Sequence, residues 1–420
     1  MATIEGNDQD NKLQAPDWSV VNMFGYGGND SLVGSFGGDS YIWGGAGNDT
    51  VSGGTNLNRL YGDDGNDYVY VFWSSSENQL YGGSGNDTLA GGAGYNGTGS
   101  YLDGGTGADL MYGGESGDTF IVDDANDYVV DSWVPEFDNE ANPADTLITS
   151  VSFTLAEGAM IESFEAKDYA TSTKAINLSG NSASQTIKGN AGVNALSGNG
   201  GNDVLIGGLG ADALNGGSGT DTASYAQATA GVTVNLAKPA SNKGEAAGDT
   251  FVAVENITAS KFKDFIYGNS LANKLTGGLG DDFIAGDAGK DAIKGESGVD
   301  KITGGLDNDT LTGGSGADIF VFKSTLGLTN IDQITDFAEE DIIHLDDAIF
   351  TNLVGNGVLS LDQFVASNSG KAADSLDRII YESDTGKLFY DADGSGSGKS
   401  IQFATLGIGL SVSADDFFVI

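Results

Sequence analysis

A six-residue pattern, Gly-Gly-x-Gly-x-Asp, occurs seven times in this chain and constrains its fold more than any other feature. The copies span residues 44–49, 82–87, 104–109, 207–212, 216–221, 277–282 and 313–318. Between residues 259 and 321 the pattern extends to a nonapeptide with an apolar eighth position, as at Ile266, Ile293 and Phe320. A fixed period of this length predicts a solenoid, in which each repeat buries its apolar side chain against its neighbours.

The nonapeptides form three arrays, which are separated by two spacers and followed by a tail. We assign residues 1–121 to a degenerate to regular first array, 122–179 to a strand-rich spacer, 180–224 to a second array, 225–258 to another strand-rich spacer, 259–321 to a third array and 322–420 to a C-terminal module. In the first array the motif places Leu32, Tyr41 and Val51 at the inward position. Both spacers contain stretches of alternating β-branched residues, which predict strands there too.

The charge balance limits the partners of this chain. Its 60 acidic and 18 basic residues give a formal net charge of -42, and so much like charge resists compaction unless cations bind. Nucleic acids and anionic lipids are disfavoured as partners because they require clustered Lys and Arg. The chain contains no Cys, and none of its apolar runs approaches the roughly 20 residues of a membrane span.

The chemistry of the glycine-rich turn favours calcium as that cation. Calcium takes six to eight oxygen ligands, which backbone carbonyls and an Asp carboxylate can supply. Glycine reaches positive φ, so the carbonyls of such a turn can converge on one ion. The three residues after the turn are long enough for a very short strand with its central side chain inward. The alternative is that these Gly-Asp turns only punctuate strands.

On these motifs the chain resembles the repeats-in-toxin (RTX) proteins, whose haemolysin-type nonapeptides bind calcium. The resemblance implies an all-β fold, a right-handed parallel β-roll or β-helix solenoid with two nonapeptides per coil and a C-terminal β-rich cap. It also implies calcium ions shared between stacked turns. Because no site exists in an unfolded chain, we expect calcium binding and folding to be coupled.

The resemblance also implies which residues bind calcium. The Asp at the sixth motif position is the expected ligand: Asp30, Asp39, Asp49, Asp67, Asp87, Asp109, Asp118, Asp203, Asp212, Asp221, Asp282, Asp291, Asp300, Asp309 and Asp318. Five units have an amide there, at Asn58, Asn78, Gln185, Asn194 and Asn273, and we expect them to bind calcium weakly or not at all. Asp264 is left out because its unit has none of the motif glycines.

Motifs for catalysis are missing from the sequence. His344 is the single histidine, which excludes a His-Glu-x-x-His zinc protease, and no Gly-x-Ser-x-Gly elbow occurs. We therefore predict a non-enzymatic binding protein, acting as a matrix, surface or adhesion component, with cell-surface or matrix polysaccharide as a candidate partner. The alternative is an extracellular enzyme or toxin-like protein with its active site in one of the spacers.

The tail resembles the C-terminal module of bacterial proteins exported by type I secretion. Its last residues, from Asp415 through Phe417 to Ile420, have the acidic pair and apolar end of that signal. The resemblance implies a secreted, extracellular or surface-associated protein that engages an ABC exporter through its C-terminus. The alternative is a cap over the last coil. Residues 378–382 and 387–391 flank turn residues and predict a hairpin.

Overall fold

The computed structural model describes residues 1–94, 99–114, 116–131 and 144–420, with the side chains of residues 93 and 94 left out. The chain divides into two compact units, Met1–Gly219 and Thr220–Ile420, so the division falls inside the predicted second array. Within the described residues the secondary structure consists of β-strands and four short 3-10 helices. No helix there is long and apolar enough to cross a membrane.

Unit 1 is a stack of short parallel strands. They are β1 (Ala2–Asn7), β2 (Lys12–Gln14), β3 (Val21–Gly27), β4 (Ser31–Val33), β5 (Ser40–Ala46), β6 (Thr50–Ser52), β7 (Asn58–Asp64), β8 (Tyr68–Tyr70), β9 (Trp73–Ser74), β10 (Asn78–Ser84), β11 (Thr88–Gly94), β12 (Ser100–Thr106), β13 (Leu110–Gly114), β14 (Thr119–Val122), β15 (Tyr128–Val130), β16 (Thr146–Thr149), β17 (Phe153–Thr154), β18 (Ser163–Ala166), β19 (Leu178–Ser179), β20 (Thr186–Lys188), β21 (Ala195–Gly200), β22 (Val204–Ile206) and β23 (Ala213–Ser218).

Each coil of unit 1 adds one strand to each of two faces. One face pairs β1, β3, β5, β7, β10, β12, β14, β16, β18, β20 and β22 in that order, and the facing sheet pairs β2, β4, β6, β8, β11, β13 and β15. The register stacks Met23, Ile42 and Leu60 into one fully buried row, of which the motif predicts Leu60. The parallel β-solenoid expected from the nonapeptides is therefore confirmed.

One unit of the first array departs from the predicted register. Ile42 lies in the core row, whereas Tyr41 pairs in line with Asn22 and Arg59 and is only partly buried. A strand that slips by one residue exchanges its two faces, so with Ile42 buried the phenol of Tyr41 lies on the outer face, and its hydroxyl needs no partner within the core. The turn position at the start of this strand, which pairs with Asn58 of the next coil, is consequently held by Ser40 and not by Asp39.

Unit 2 continues the same architecture and then changes. Its strands are β24 (Thr222–Ser224), β25 (Thr233–Asn235), β26 (Thr250–Val252), β27 (Asn256–Thr258), β28 (Phe265–Tyr267), β29 (Lys274–Leu279), β30 (Phe283–Ala288), β31 (Ala292–Ser297), β32 (Lys301–Leu306), β33 (Thr310–Ser315), β34 (Ile319–Phe322), β35 (Asp332–Ile334), β36 (Ile342–Leu345), β37 (Gly357–Val358), β38 (Phe364–Ser367), β39 (Ile379–Glu382), β40 (Lys387–Tyr390), β41 (Ile401–Thr405) and β42 (Phe417–Val419). The 3-10 helices are Pro239–Ser241, Gly244–Ala246, Leu361–Gln363 and Ala414–Asp416.

The first strands of the tail extend the solenoid, and its last strand covers the end of the last coil. Strands β35 and β36 pair in parallel with β33 and β34, so coil geometry runs beyond residue 321, where the glycine period stops. The predicted hairpin is confirmed by the antiparallel pairing of β39 with β40. Strand β42 pairs with β36 and buries Phe417 and Val419, which places the last residues of the chain against the end of the coil.

Candidate metal sites along the turns

An aspartate ladder runs along one edge of unit 1. It consists of Asp30, Asp49, Asp67, Asp87, Asp109 and Asp127, and we call it the first ladder. In each step the backbone N–H of one aspartate donates to the Oδ1 atom of the next, at 2.7 Å from Asp30 to Asp49 and 3.0 Å from Asp109 to Asp127. The intervening steps also measure 2.7 Å. The turn sequence thus aligns one carboxylate per coil.

The second carboxylate oxygen in this ladder is the candidate metal ligand. Among the described residues, the Oδ2 atoms of Asp30, Asp49, Asp67, Asp87 and Asp109 are buried and accept no hydrogen bond. A buried carboxylate oxygen without a donor is costly, so these atoms require a cation or a proton. Asp127 differs, because its Oδ2 accepts from the backbone N–H groups of Asp123 and Asp124, both at 3.2 Å.

Glycine provides the room for oxygens to converge in these turns. A Cβ atom on Gly82 would stand 2.4 Å from Oδ2 of Asp87 and 2.3 Å from the carbonyl oxygen of Gly104 in the next coil. A carboxylate of one turn and a carbonyl of the next therefore face the same point. At Gly85, φ is +130° and a Cβ would lie 1.6 Å from the carbonyl oxygen of Gly65. Only glycine allows coils to stack this closely.

Burial raises the pKa of these carboxyl groups. Loss of solvent is the largest cause, and neighbouring aspartates add to it, so the pKa of Asp67 reaches about 7. The pKa of Asp109 is raised to about 7 and that of Asp87 to about 6 for the same first reason. Groups with a pKa of about 7, such as Asp67 and Asp109, are only partly ionised at neutral pH unless a positive charge lies beside them. The donor set of carboxylate and carbonyl oxygens fits calcium.

Unit 2 has such a ladder on both edges of its coils. One contains Asp264, Asp282, Asp300, Asp318 and Asp341, joined by N–H to Oδ1 bonds of 2.8 to 2.9 Å. The other contains Asp291, Asp309 and Asp332, with bonds of 2.9 and 3.1 Å. In this part of the structure, the Oδ2 atoms of Asp282, Asp291, Asp300, Asp309 and Asp318 are buried and accept no hydrogen bond.

The carboxyl groups of unit 2 are perturbed in the same direction. Burial is the first cause for each, and it raises the pKa of Asp282 and Asp291 to about 7. The pKa values of Asp300 and Asp309 rise to about 6. Asp332 reaches about 8 because burial is reinforced by the charge of Asp309.

Two members of these ladders have both oxygens satisfied by the protein. Oδ2 of Asp264 accepts from the backbone N–H and the hydroxyl of Ser260, each at 2.8 Å. Oδ2 of Asp341 accepts from the N–H of Ala338 at 2.8 Å. Both turns lack the motif glycines. In these turns a backbone N–H faces the carboxylate, whereas in the glycine turns a backbone carbonyl oxygen faces it.

The second array contributes three of the predicted aspartates. Asp203 and Asp212 are buried in unit 1, and their Oδ1 atoms accept the backbone N–H groups of Gln185 and Asn194 at 2.8 Å. Asp221 is buried in unit 2, where its N–H donates to Glu255 at 2.8 Å. These residues occupy the same turn position as the ladder members.

Amide side chains donate to carbonyls of their own turn or of a neighbouring coil. The Nδ2 atoms of Asn58, Asn194 and Asn273 each donate to a backbone carbonyl at 2.7 Å, those of Asn56, Ile176 and Glu255. An amide therefore supplies the hydrogen-bond donor for carbonyls that a cation would otherwise coordinate. This is the physical reason for the weak calcium binding expected of these units.

One predicted ligand lies outside these rows, and several aspartates within the rows are not predicted by the motif. Asp39 is half-buried and precedes the turn position of its coil, which Ser40 holds. Asp118 is buried, and its Oδ1 accepts from the N–H of Ser100 at 2.5 Å. Asp127, Asp145, Asp332 and Asp341 were missed because their turns lack glycines. Each nevertheless begins Asp-x-apolar-x, a shorter signal that would have found them.

The family model of the RTX calcium-binding nonapeptide repeat matches residues 43–71, 74–97, 95–129, 188–223, 258–293, 267–302 and 286–320. The chain thus carries RTX calcium-binding repeats. No curated protein matches the sequence. One solved structure, a subunit (AlgE6R3) of the mannuronan C5-epimerase of Azotobacter vinelandii, is 22% identical over 37% of this chain and 78% of that one, with a TM-score of 0.17. That score is too low to support any conclusion about this protein.

Proposed function

We propose that this protein is secreted and folds when it meets calcium outside the cell, where it serves as a structural, surface or adhesion component. The observation that carries the proposal is the set of buried aspartate Oδ2 atoms that accept no hydrogen bond within the described residues. These atoms stand beside glycine carbonyls in successive coils. A divalent cation neutralises the carboxylates and coordinates the carbonyls at once.

Folding and calcium binding are coupled in this proposal. Each coil adds one apolar side chain to each of two buried rows. This gain is modest compared with the conformational entropy lost when the backbone is ordered, which costs about 1 to 2 kcal/mol per residue. The net charge of -42 opposes compaction further. The sites also require neighbouring coils to be stacked, so an unfolded chain contains none of them, and the binding free energy becomes folding free energy.

A calcium titration of the purified chain tests the proposal. In excess chelator we expect a disordered far-UV circular dichroism spectrum, which calcium converts cooperatively to a β-sheet spectrum. The midpoint should fall near the ~10⁻⁴ to 10⁻³ M of extracellular calcium modules, and magnesium should substitute poorly because it requires octahedral geometry. A protein that is fully folded in excess chelator would contradict calcium-coupled folding.

Export through the C-terminus is the second part of the proposal. Removing Asp415 to Ile420 should abolish secretion through a reconstituted type I exporter. Because β42 buries Phe417 and Val419, this deletion also exposes the end of the coil. The matched control is Ile408→Ala, which removes an exposed apolar side chain of the tail outside this segment and should leave secretion unchanged. Secretion of the truncated chain at the normal level would leave the tail with the role of a cap alone.

An enzymatic role is the second candidate, and one groove of unit 1 favours it. Tyr101, Asp103, Glu165, Lys167 and Tyr169 line an open groove of about 510 Å³ where the first array meets the first spacer. Burial raises the pKa of Tyr101 to about 12, so its phenol is a poor base at neutral pH. We therefore place binding before catalysis. Incubating the calcium-loaded protein with uronic-acid and neutral polysaccharides, with product analysis, distinguishes binding from turnover.

A further inference from the structure

Three carboxylates converge in unit 1 where the nonapeptide period breaks down. Asp118, Asp131 and Asp145 each present a carboxylate oxygen, and these oxygens all lie within 4.8 Å of one another. Asp118 follows a degenerate turn, and Asp131 and Asp145 lie outside the segments that match the repeat family. Asp118 and Asp145 are joined by the same N–H to Oδ1 bond as ladder members, but Asp131 adds a third carboxylate, which the ladder steps among the described residues lack.

The backbone orients each of these carboxylates through one oxygen. Oδ1 of Asp145 accepts from the N–H of Asp118 at 2.6 Å, and Oδ1 of Asp118 accepts from Ser100. Oδ1 of Asp131 accepts a longer bond, 3.4 Å, from the N–H of Gly114. The three Oδ2 atoms are buried, and none accepts a hydrogen bond from the residues that the structure describes. The side chains of Asp118, Asp131 and Asp145 are 2%, 2% and 0% exposed.

This arrangement has the properties of a calcium site. Three like charges this close are unfavourable unless a cation lies among them. Calcium–oxygen distances of about 2.3 to 2.6 Å place two ligands of one ion up to roughly 5 Å apart, which agrees with the spacing of these oxygens. Magnesium usually keeps several waters, and the burial of all three side chains disfavours them.

We propose that Asp118, Asp131 and Asp145 form a calcium site separate from those of the ladders, and that this site binds its ion more tightly. Affinity for calcium rises with the number of charged ligands and the rigidity of the site. Here three carboxylates converge, each held by a backbone N–H, whereas each glycine turn contributes one aspartate. A bound ion joins the turn before β14, the end of β15 and the start of β16.

Substitution of Asp131 tests the site on the full chain. Wild-type protein and Asp131→Asn are titrated with calcium against a chromophoric chelator, and far-UV circular dichroism at saturating calcium reports folding. We expect Asp131→Asn to lose one ion from the tightest class, or to weaken it at least ~10-fold, about 1.4 kcal/mol. The control, Asp127→Asn, alters a nearby carboxylate whose oxygens already accept N–H bonds and should keep the tight ion.

Two further measurements do not depend on that one variant. Gly113→Ala leaves the charge unchanged but puts a Cβ 2.5 Å from Oδ2 of Asp118 and 2.7 Å from Oδ1 of Asp131, so the same ion should be lost. In crystals of the wild-type protein grown with calcium, anomalous scattering should show an ion among the three carboxylates.

The competing arrangement is a proton shared between Asp131 and Asp145. An unchanged tight ion in Asp131→Asn, or no anomalous peak at this place, would overturn the inference in favour of that proton. Failure here leaves the ions of the ladders in place, whereas failure of the proposed function removes calcium-dependent folding from the wild-type chain.

Discussion

The two edges of the first array have the same coil geometry but satisfy their turns in opposite ways. On one edge lies the first ladder, whose members from Asp30 to Asp109 each keep a buried oxygen without a donor among the described residues. On the other edge the equivalent positions are Ser40, Asn58, Asn78 and Ser100. These neutral side chains hydrogen-bond within the protein, as Asn58 does through both its amide oxygen and its nitrogen.

The difference shows that one turn geometry can be completed by either an ion or an amide. An aspartate turn brings carboxylate and carbonyl oxygens together and therefore needs a cation. An asparagine turn has a side-chain N–H group that can donate to such oxygens. From Ser40 to Ser100 this edge should thus not depend on calcium, whereas the next position along it, Asp118, belongs to the three-carboxylate cluster. In unit 2, ladders line both edges, so the third array should depend on calcium along both.

The largest effect is expected from Asp67→Asn, in the middle of the first ladder. This change removes a charged ligand that neighbouring coils share, so we expect the loss of one or two bound ions. The calcium midpoint should rise roughly 10-fold, about 1.4 kcal/mol. The matched control on the other edge is Asn58→Ser, which copies Ser40 and Ser100 and should leave the ion count unchanged. Calcium stoichiometry and the circular dichroism midpoint measure both, and an equal loss in the two variants would contradict the comparison.

Acidification should act on the aspartate ladders through the raised pKa values of their buried carboxyl groups. The folded pKa of Asp67 and of Asp291 is raised to about 7, so folded carboxyls hold protons that the unfolded chain loses above pH ~4. The stability of the calcium-free folded state therefore falls as pH rises from about 4 to 7. Calcium must displace those protons, so its affinity should fall as pH drops below about 7.

This pH dependence can be measured directly. Calcium titrations in weak buffer near pH 6.5 should release protons, and affinity at pH ~8 should exceed affinity at pH ~5.5. Asp67→Asn should release fewer protons than wild type, while Asn58→Ser should release the same number. Proton release that does not differ between the two variants would remove the first ladder as its source.

Adding carboxylates to the amide edge should make that edge bind calcium, as the aspartate edge is expected to do. Asn58→Asp with Asn78→Asp places two carboxylates in adjacent coils, where the wild-type amides are 2.8 Å apart. At limiting calcium we expect a loss of about 1 to 3 kcal/mol, because buried acceptors lose their donors. Saturating calcium should restore stability and add one ion. Isothermal calorimetry and denaturant unfolding at limiting and at saturating calcium measure these changes, and a loss that saturating calcium does not restore would show that more than an aspartate pair is required.

The smallest effect is expected at Asp39. Because Ser40 holds the turn position, Asp39→Ala should leave calcium stoichiometry unchanged and alter stability by less than about 0.5 kcal/mol. Asp264→Ala should cost more stability through its bonds to Ser260 but should likewise release no ion. Loss of an ion from Asp39→Ala would show that the register of this coil follows the motif after all.

The repeat pattern by itself predicts much of the fold because its information is local. Nine-residue spacing identifies the coils, and the apolar phase identifies buried rows such as Leu60 and Ile293. The phase of the aspartates likewise identifies the turn position in most units. Asp39 and Tyr41 are exceptions, because the motif predicts Tyr41 at the inward position whereas Ile42 takes that position in the stacked coil.

Only the tertiary structure decides which carboxylates need a cation. Asp127 shares the first ladder with Asp87, and Asp264 and Asp341 share a ladder of unit 2 with Asp282, yet backbone donors in their own turns satisfy these three residues. The convergence of Asp118, Asp131 and Asp145 likewise depends on coils that are distant in sequence. A nonapeptide determines where an aspartate lies in its coil, but the second oxygen meets a donor only where the irregular backbone of its own turn brings one, and the carbonyls and charges that face it come from neighbouring coils. Those contacts exist only after the chain has stacked.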